Sequence, residues 1–184
     1  MRPISLSALA QELHTGEYKS DEDVAKQAIA DYNWVKNNIL YRLSNWGAPK
    51  QTLLQTSGAC GAKAELLGEL LELHGIKVRY VEGRPLPIIC PLARIPALNF
   101  HFWLEAKIGN KWLTLDPTPD SESEHFLGRT EPGKHLINPQ YIGRWNRIPN
   151  WYAKCFNHPL VRPLRYASNL KLSYLRRRRI SSAF

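Results

Sequence analysis

The sequence predicts an α+β domain in which a helix that carries Cys60 packs against an antiparallel sheet. Apolar residues recur at three- and four-residue steps in segments 20–43 and 59–74, the spacing of amphipathic helices. Between Phe100 and Ile108 they alternate with polar residues, as in a half-buried strand. A chain of 184 residues is long enough for one such domain with a hydrophobic core and an appendage.

The first of these helices is predicted to begin after Ser20. A serine followed by three acidic residues is typical of a helix start, because the serine caps backbone amides and the carboxylates favour the positive end of the helix dipole. About twenty residues should follow, with one apolar stripe formed by Val24, Ala28, Tyr32, Val35, Ile39 and Leu43. Asn45 to Pro49 is predicted to be a loop.

The second helix is predicted from Ala59 to His74, with Gly75 as its C-terminal cap. One face carries Ala64, Leu67 and Leu71, and further leucines widen it. Cys60 falls in the first turn, so its side chain should lie at the N-terminus of a half-buried helix.

The strand predictions place a histidine beside an aspartate. Ile76–Val81 should be a strand and Gly83–Pro96 a proline-rich loop. Gly109-Asn110 then suits a two-residue hairpin turn of the primed type. If Ile108 faces Lys111, Trp103 faces Asp116, and His101 becomes the diagonal neighbour of Asp116, roughly 7 Å away and within side-chain reach.

These three side chains fit a nucleophile, a base and a residue that orients the base. A cysteine attacks as the thiolate, which a helix N-terminus and a neighbouring imidazolium both stabilise. A carboxylate that accepts from the imidazole fixes its tautomer and stabilises its charged form. Taken singly, Cys60 reads as a buried structural cysteine, His101 as a hydrogen-bonded bystander and Asp116 as a turn residue before Pro117. The combination favours catalysis.

The motifs around these residues resemble those of the transglutaminase-like superfamily. The resemblance covers roughly Ala25 to Thr118 and lies in three segments in the family's order: Gly58-Ala59-Cys60-Gly61-Ala62-Lys63-Ala64, Phe100-His101-Phe102-Trp103-Leu104-Glu105 and Trp112-Leu113-Thr114-Leu115-Asp116-Pro117-Thr118. It implies a papain-like cysteine-proteinase fold and a Cys60, His101, Asp116 triad that cleaves a peptide or other amide bond through an acyl-thioester.

The resemblance also implies a side chain that stabilises the oxyanion, for which Gln55 and Trp46 are the candidates. Gly61 stands where the cross-linking transglutaminases have tryptophan, and no acidic cluster for calcium is evident, which favours hydrolysis of a peptide or protein amide. The alternatives are an acyltransferase that uses an amine acceptor and a non-catalytic binding module.

Positive charge is concentrated after residue 131. Residues 132–184 contain eleven Lys and Arg and no Asp or Glu, whereas the chain as a whole has a net charge of +9. We therefore predict a catalytic domain over 1–131 and a basic, aromatic extension over 132–184 that wraps the core or forms a tail. The run Arg176–Arg179 and a short amphipathic helix before it would suit an anionic partner: an acidic substrate, a membrane surface or nucleic acid.

The cysteines predict a reducing compartment. Three widely spaced cysteines give neither a disulfide framework nor an organised zinc spacing, so no cofactor or metal is expected. Zinc bound by Cys60, Cys90, His101 and His125 is the disfavoured chemical alternative. Cys90 and Cys155 are interpreted as structural, with Cys90 as a candidate second reactive thiol. The N-terminus does not resemble a secretory signal, which predicts a cytoplasmic protein.

Overall fold

The structure, a computed structural model, describes residues 5–42, 47–85, 101–118 and 136–142, of which 84–85 and 136–142 are described as backbone only. The helices of this part of the chain are α1 Leu6–Leu13, α2 Asp21–Asn38, α3 Pro49–Gln55 and α4 Cys60–Leu73. The strands are β1 Leu40–Tyr41, β2 Ser57–Gly58, β3 Val78–Pro85, β4 His101–Ile108, β5 Lys111–Leu115 and β6 Leu136–Ile142.

Helix α4 is the central helix of the fold. Ten of its fourteen residues are buried, which leaves only a narrow strip for solvent. It packs against α1, α2, α3 and β4, and its leucines form the core together with residues of the sheet. Burial of each leucine contributes roughly 1.5 to 3 kcal/mol, so this helix organises most of the domain.

Both predicted helices are present, but the first ends earlier than expected: α2 stops at Asn38, Leu40–Tyr41 form β1, and Leu43 lies outside the described residues. Ser20 caps α2, its hydroxyl oxygen accepting from the amide of Asp23 at 3.2 Å. Helix α4 ends where Gly75 takes a φ of +73°. The amide of Gly75 donates to Glu72 O and the amide of Ile76 donates to Leu71 O, the paired bonds of a Schellman motif.

The main sheet is antiparallel, in the order β5-β4-β3-β6. The hairpin register is as predicted, because Ile108 pairs with Lys111. Gly109 has a φ of +54° and Asn110 does not have a positive φ, which is the pattern of a type II′ turn. With α4 packed on this sheet, the α+β fold class is confirmed.

Several local predictions were incomplete or wrong. Helix α1 was not predicted, and Pro49 is the first residue of α3 rather than the end of a loop. Strand β3 runs on to Pro85, beyond the predicted start of a loop at Gly83, because it pairs on both sides with β4 and β6. Between Glu82 and Arg84 the pairing with β6 shifts register, as at a β-bulge.

Strand β6 lies beyond residue 131, in the predicted extension, yet it joins the sheet through β3. The division at residue 131 stays a prediction. Trp46, Cys90, His125, Cys155, the amphipathic segment and Arg176–Arg179 lie outside the described residues. None of the helices in the described ranges combines the length and apolarity that crossing a bilayer requires.

Candidate active site

The structure brings Cys60, His101 and Asp116 together at the ends of three different elements. Cys60 is the first residue of α4, His101 is the first residue of β4, and Asp116 follows directly after β5. All three are buried, with 4%, 8% and 3% of their surfaces exposed. Side chains at the ends of well-packed elements keep a fixed geometry while their polar groups remain available for chemistry.

His101 is held between a carboxylate and a thiol. Its Nε2 donates to Asp116 Oδ2 over 2.6 Å, a short charge-assisted hydrogen bond. The ring also shares a hydrogen bond with Cys60. Since Asp116 engages Nε2, it is Nδ1 that meets the sulfur. The imidazole therefore bridges the nucleophile and the residue that orients the base.

The surroundings of His101 favour its charged form. Burial by itself lowers the pKa of His101, but the negative charge and hydrogen bond of Asp116, followed by those of Cys60, outweigh it and raise the pKa from 6.5 to about 10. At neutral pH the ring is thus an imidazolium, which is the form that stabilises a neighbouring thiolate.

The second oxygen of Asp116 fixes the direction of the carboxylate. Oδ1 accepts from the backbone amide of Thr118 at 3.0 Å, across the turn that contains Pro117. With each oxygen engaged by a different donor, the side chain cannot swing away from His101. The turn at Pro117 thereby helps to hold the Asp116 carboxylate in place beside His101.

Trp103 covers the histidine on its own strand. The two rings stack with centroids 5.8 Å apart and planes inclined by 25°, and Trp103 is 2% exposed. Sequence reasoning placed Trp103 opposite Asp116 but assigned it no role. Its aromatic face shields the ion pair from water and interacts favourably with a charged ring.

The N-terminus of α4 is anchored to the C-terminus of α2. The fully buried Lys63 donates from Nζ to the carbonyl oxygen of Ile39 over 2.6 Å. Directly before α4, β2 pairs in parallel with β1, with Leu40 N donating to Thr56 O at 2.9 Å. The segment that leads into Cys60 is therefore held both by the pairing of β1 with β2 and by the hydrogen bond of Lys63. In the sequence, nothing sets Lys63 apart from a surface lysine.

Backbone amides near Cys60 form the candidate oxyanion site. The first intrahelical bond of α4 runs from Lys63 N to Ala59 O, so the amides of Cys60 and Gly61 precede the helical ladder. The N-cap Ala59 offers no side-chain cap. Gln55, the side-chain candidate, is exposed at the end of α3, and its backbone carbonyl accepts from Thr56 and Ser57.

The glycine before the nucleophile has a packing role. A Cβ on Gly58 would lie 3.0 Å from Thr52 Cγ2 and 3.1 Å from Ala62 Cβ, so a side chain would push α3 away from α4. Within the described residues, no three His, Cys, Asp or Glu side chains cluster as metal ligands would.

Comparison with known proteins gives the chain a family. A family model described as the transglutaminase-like superfamily matches residues 7–117, more than half of the chain. No curated protein matches. Among solved structures, the chain is similar to one described as a "Putative Cysteine Protease from Cytophaga hutchinsonii", with a TM-score of 0.54 and 22% sequence identity.

The structural match covers 75% of this chain and 46% of the other, so the chain spans about half the length of that protein. At this identity the match shows a common fold. The family model spans α1 to the aspartate and includes all three clustered side chains, which supports a thiol enzyme at the level of the family. The chain belongs to the transglutaminase-like superfamily.

Proposed function

We propose that the protein is a thiol enzyme that cleaves a peptide or other amide bond through an acyl-thioester on Cys60. The observation that carries this proposal is the buried histidine that joins Cys60 to Asp116, with its short bond to the carboxylate. A structural cysteine does not need a charged imidazole beside it, whereas a nucleophile does.

The first half of the reaction forms the acyl-enzyme. The Cys60 thiolate attacks the amide carbonyl carbon, and the electron pair of the C=O bond moves to oxygen. The backbone amide of Cys60 at the helix N-terminus and a side-chain donor, with Gln55 and Trp46 as candidates, stabilise this oxyanion. When the C–N bond breaks, His101 transfers its proton to the departing amine and becomes neutral.

The second half releases the acyl group. Neutral His101 takes a proton from water as the water oxygen attacks the thioester carbonyl. The C–S bond then breaks, the carboxylic acid leaves, and the thiolate and imidazolium are restored. Asp116 stabilises the imidazolium in both halves and is not itself protonated.

Burial of the triad favours one alternative, in which an amine replaces water as the acceptor. All three side chains are less than a tenth exposed, and exclusion of water protects reactive intermediates from hydrolysis. The acyl-thioester and the roles of the three residues are the same in this case. Only the second nucleophile differs.

Acylation by p-nitrophenyl acetate tests the proposal without knowledge of the natural substrate. We expect a burst of p-nitrophenol and an acetyl group on the Cys60 peptide by mass spectrometry. The burst should be lost in Cys60→Ser and slowed in His101→Ala. Added amine that shortens the life of the acetyl-enzyme and becomes acetylated would favour acyl transfer over hydrolysis. Absence of acetylation at Cys60 would favour a non-catalytic binding module.

A further inference from the structure

Lys63 is a fully buried ammonium on the helix that begins at Cys60. It is 0% exposed, and a lysine is almost never fully buried unless a partner holds its charge. Here Nζ donates to the carbonyl oxygen of Ile39 over 2.6 Å, at the C-terminus of α2. A carbonyl oxygen at a helix end can be satisfied by water or by a neutral donor, so this cap does not by itself require a buried charge. What sets the bond apart is its closeness to the chain that leads into Cys60.

Lys63 closes a loop of hydrogen bonds around the chain before α4. Its backbone amide donates to Ala59 O at 2.9 Å, and its Nζ donates to Ile39 O. The amide of the same peptide unit as Ile39 O belongs to Leu40 and donates to Thr56 O at 2.9 Å, directly before β2. From there the chain leads through β2 back to Ala59. Two of the bonds in this loop are made by Lys63, one by its backbone and one by its side chain.

The alkyl stem of Lys63 lies against the same part of the chain. A Cβ built on Gly58 would lie 3.4 Å from Lys63 Cγ, so the stem passes directly beside this glycine. The carbonyl oxygen of Gly58 accepts from Arg42 N at 3.0 Å, on the side of β1. Since Ala59 O is bonded as well, the peptide units before Cys60 are fixed in direction.

The peptide unit that joins Ala59 to Cys60 connects Lys63 to the candidate oxyanion site. Because a peptide unit is planar, the bond from Lys63 N to Ala59 O also sets the direction in which the Cys60 amide points. That amide precedes the helical ladder and is the backbone donor of the oxyanion site. The bond to Ala59 O would form with any ordinary residue at position 63, but the tie from that residue to Ile39 O needs the ammonium.

We propose that Lys63 is a positioning residue, which holds the backbone amide of Cys60 in the direction that stabilises the oxyanion. Such a donor acts because it is aimed before the reaction starts, and a displacement of about 1 Å can cost about 10²-fold in rate. This inference rests on the proposed function. It concerns how well the oxyanion is stabilised and not whether the thiol reacts.

Two reactions of the same thiol test the proposal. Acylation by p-nitrophenyl acetate passes through a tetrahedral oxyanion and depends on the amide donor. Alkylation by iodoacetamide does not, because the thiolate attacks the methylene carbon, the C–I bond breaks and iodide leaves without an oxyanion. Going from wild type to Lys63→Met, we expect acylation of Cys60 to slow by about ten- to hundredfold and alkylation to keep its wild-type rate. Both rates are measured on the Cys60 peptide by mass spectrometry.

Two further variants complete the series. Lys63→Arg keeps a charged donor on a longer side chain, so its acylation rate should fall between those of wild type and Lys63→Met. Lys50→Met is the matched control, because Lys50 is exposed on α3 and its replacement removes the same charge from the surface. It should leave both rates unchanged.

The ratio of acylation to alkylation separates the outcomes. A ratio that falls in Lys63→Met but not in Lys50→Met supports the proposal. If the two rates fall together in Lys63→Met, or neither falls, the role of Lys63 is refuted and the thiol enzyme stands. If Lys63→Met does not fold, the ratio in Lys63→Arg decides, and an unchanged ratio refutes the proposal. If wild-type Cys60 is alkylated but never acylated, the proposed function itself fails.

Discussion

Replacing Asp116 with asparagine tests whether the buried carboxylate keeps His101 charged. The substitution preserves shape and a hydrogen-bond acceptor but removes the negative charge 2.6 Å from Nε2. In the wild type, Asp116 supplies the largest of the effects that overcome burial and raise the pKa of His101 from 6.5 to about 10. At about 1.4 kcal/mol per pKa unit, this preference for the imidazolium is on the order of 5 kcal/mol.

Without the carboxylate, burial dominates and His101 should be neutral at pH 7.5. The thiolate then loses its counter-ion, and the ring loses the partner that fixes its tautomer. We expect acylation by p-nitrophenyl acetate to slow by about 10⁴ at this pH, the size of the loss when the orienting aspartate of a triad is replaced by asparagine. Asp21→Asn, at an exposed aspartate at the start of α2, should keep the wild-type rate.

Stability provides an independent measurement. A group whose pKa is raised on folding contributes stability that is complete below its unfolded value, here 6.5, and is lost as the pH rises towards about 10. Cys60→Ser serves as the background for this measurement, because it removes the thiol whose own ionisation would offset the slope. Urea unfolding of Cys60→Ser should show falling stability across this window, and the slope should be absent when Asp116→Asn is added. If Asp116→Asn alone acylates at the wild-type rate and leaves the slope of Cys60→Ser unchanged, Asp116 does not hold the charge on His101, and the reasoning is wrong.

Three further predictions concern stability. His74→Leu should lower the free energy of unfolding in urea by about 3 to 5 kcal/mol at pH 7, because it leaves the fully buried carboxylate of Asp31 without the imidazole that lies 2.8 Å away. This loss should be smaller in acid, because burial raises the pKa of Asp31 and the carboxyl group is then protonated. Gly75→Ala should cost about 1 to 2 kcal/mol in the same assay, because its φ of +73° disfavours a Cβ; no loss at Gly75 would contradict the capping motif. Glu82→Gln should raise the Tm at pH 8 but not in acid, because burial raises the pKa of Glu82 and the charged form of this side chain destabilises the fold. A lower Tm at pH 8 would show that the carboxylate has a partner.

The hairpin shows how far sequence alone can reach into the site. A two-residue turn at Gly109-Asn110 fixes the register of the strands that flank it, and the register fixes which side chains meet. The proximity of His101 and Asp116 therefore follows from the turn residues and from counting along the two strands. Cys60 could be placed at a helix start by periodicity, but its meeting with His101 depends on packing between distant segments, and only the family resemblance predicted it.

The elements that were not predicted from the sequence are short, or their ends carry only weak sequence signals. Ser5 caps α1, its hydroxyl oxygen accepting from Ala8 N at 3.1 Å, and a proline at the first position of α3 is a recognised start signal, so both helices could have been found. Strands of two residues, such as β1 and β2, carry no period at all. They form because the ends of α2 and α3 bring them side by side.

Buried polar side chains on α2 and α4 could not have been predicted from periodicity. Asp31 and Gln27 occupy helix positions that a polarity pattern assigns to solvent, yet both are fully buried. Gln27 Nε2 donates to Asp31 Oδ1 at 3.0 Å, and His74 reaches Asp31 from 43 residues away. The partners that make such burial tolerable are set by tertiary structure, which no local window contains.

The two polar centres of the fold differ in a way that bears on function. Around Asp31, His74 Nδ1 faces the carboxylate and Nε2 faces the carbonyl oxygen of Ala10, so both ring nitrogens are engaged by groups of the protein itself. Around Asp116, the histidine is engaged on one side by the carboxylate and on the other by a thiol at an uncapped helix start. In the first arrangement the carboxylate and both ring nitrogens have partners within the protein, and these bonds link α1, α2 and α4. The last member of the second arrangement is the Cys60 thiol, a group that can react with a substrate. A thiol beside a buried imidazolium at an uncapped helix start is the arrangement that the proposed thiol enzyme requires.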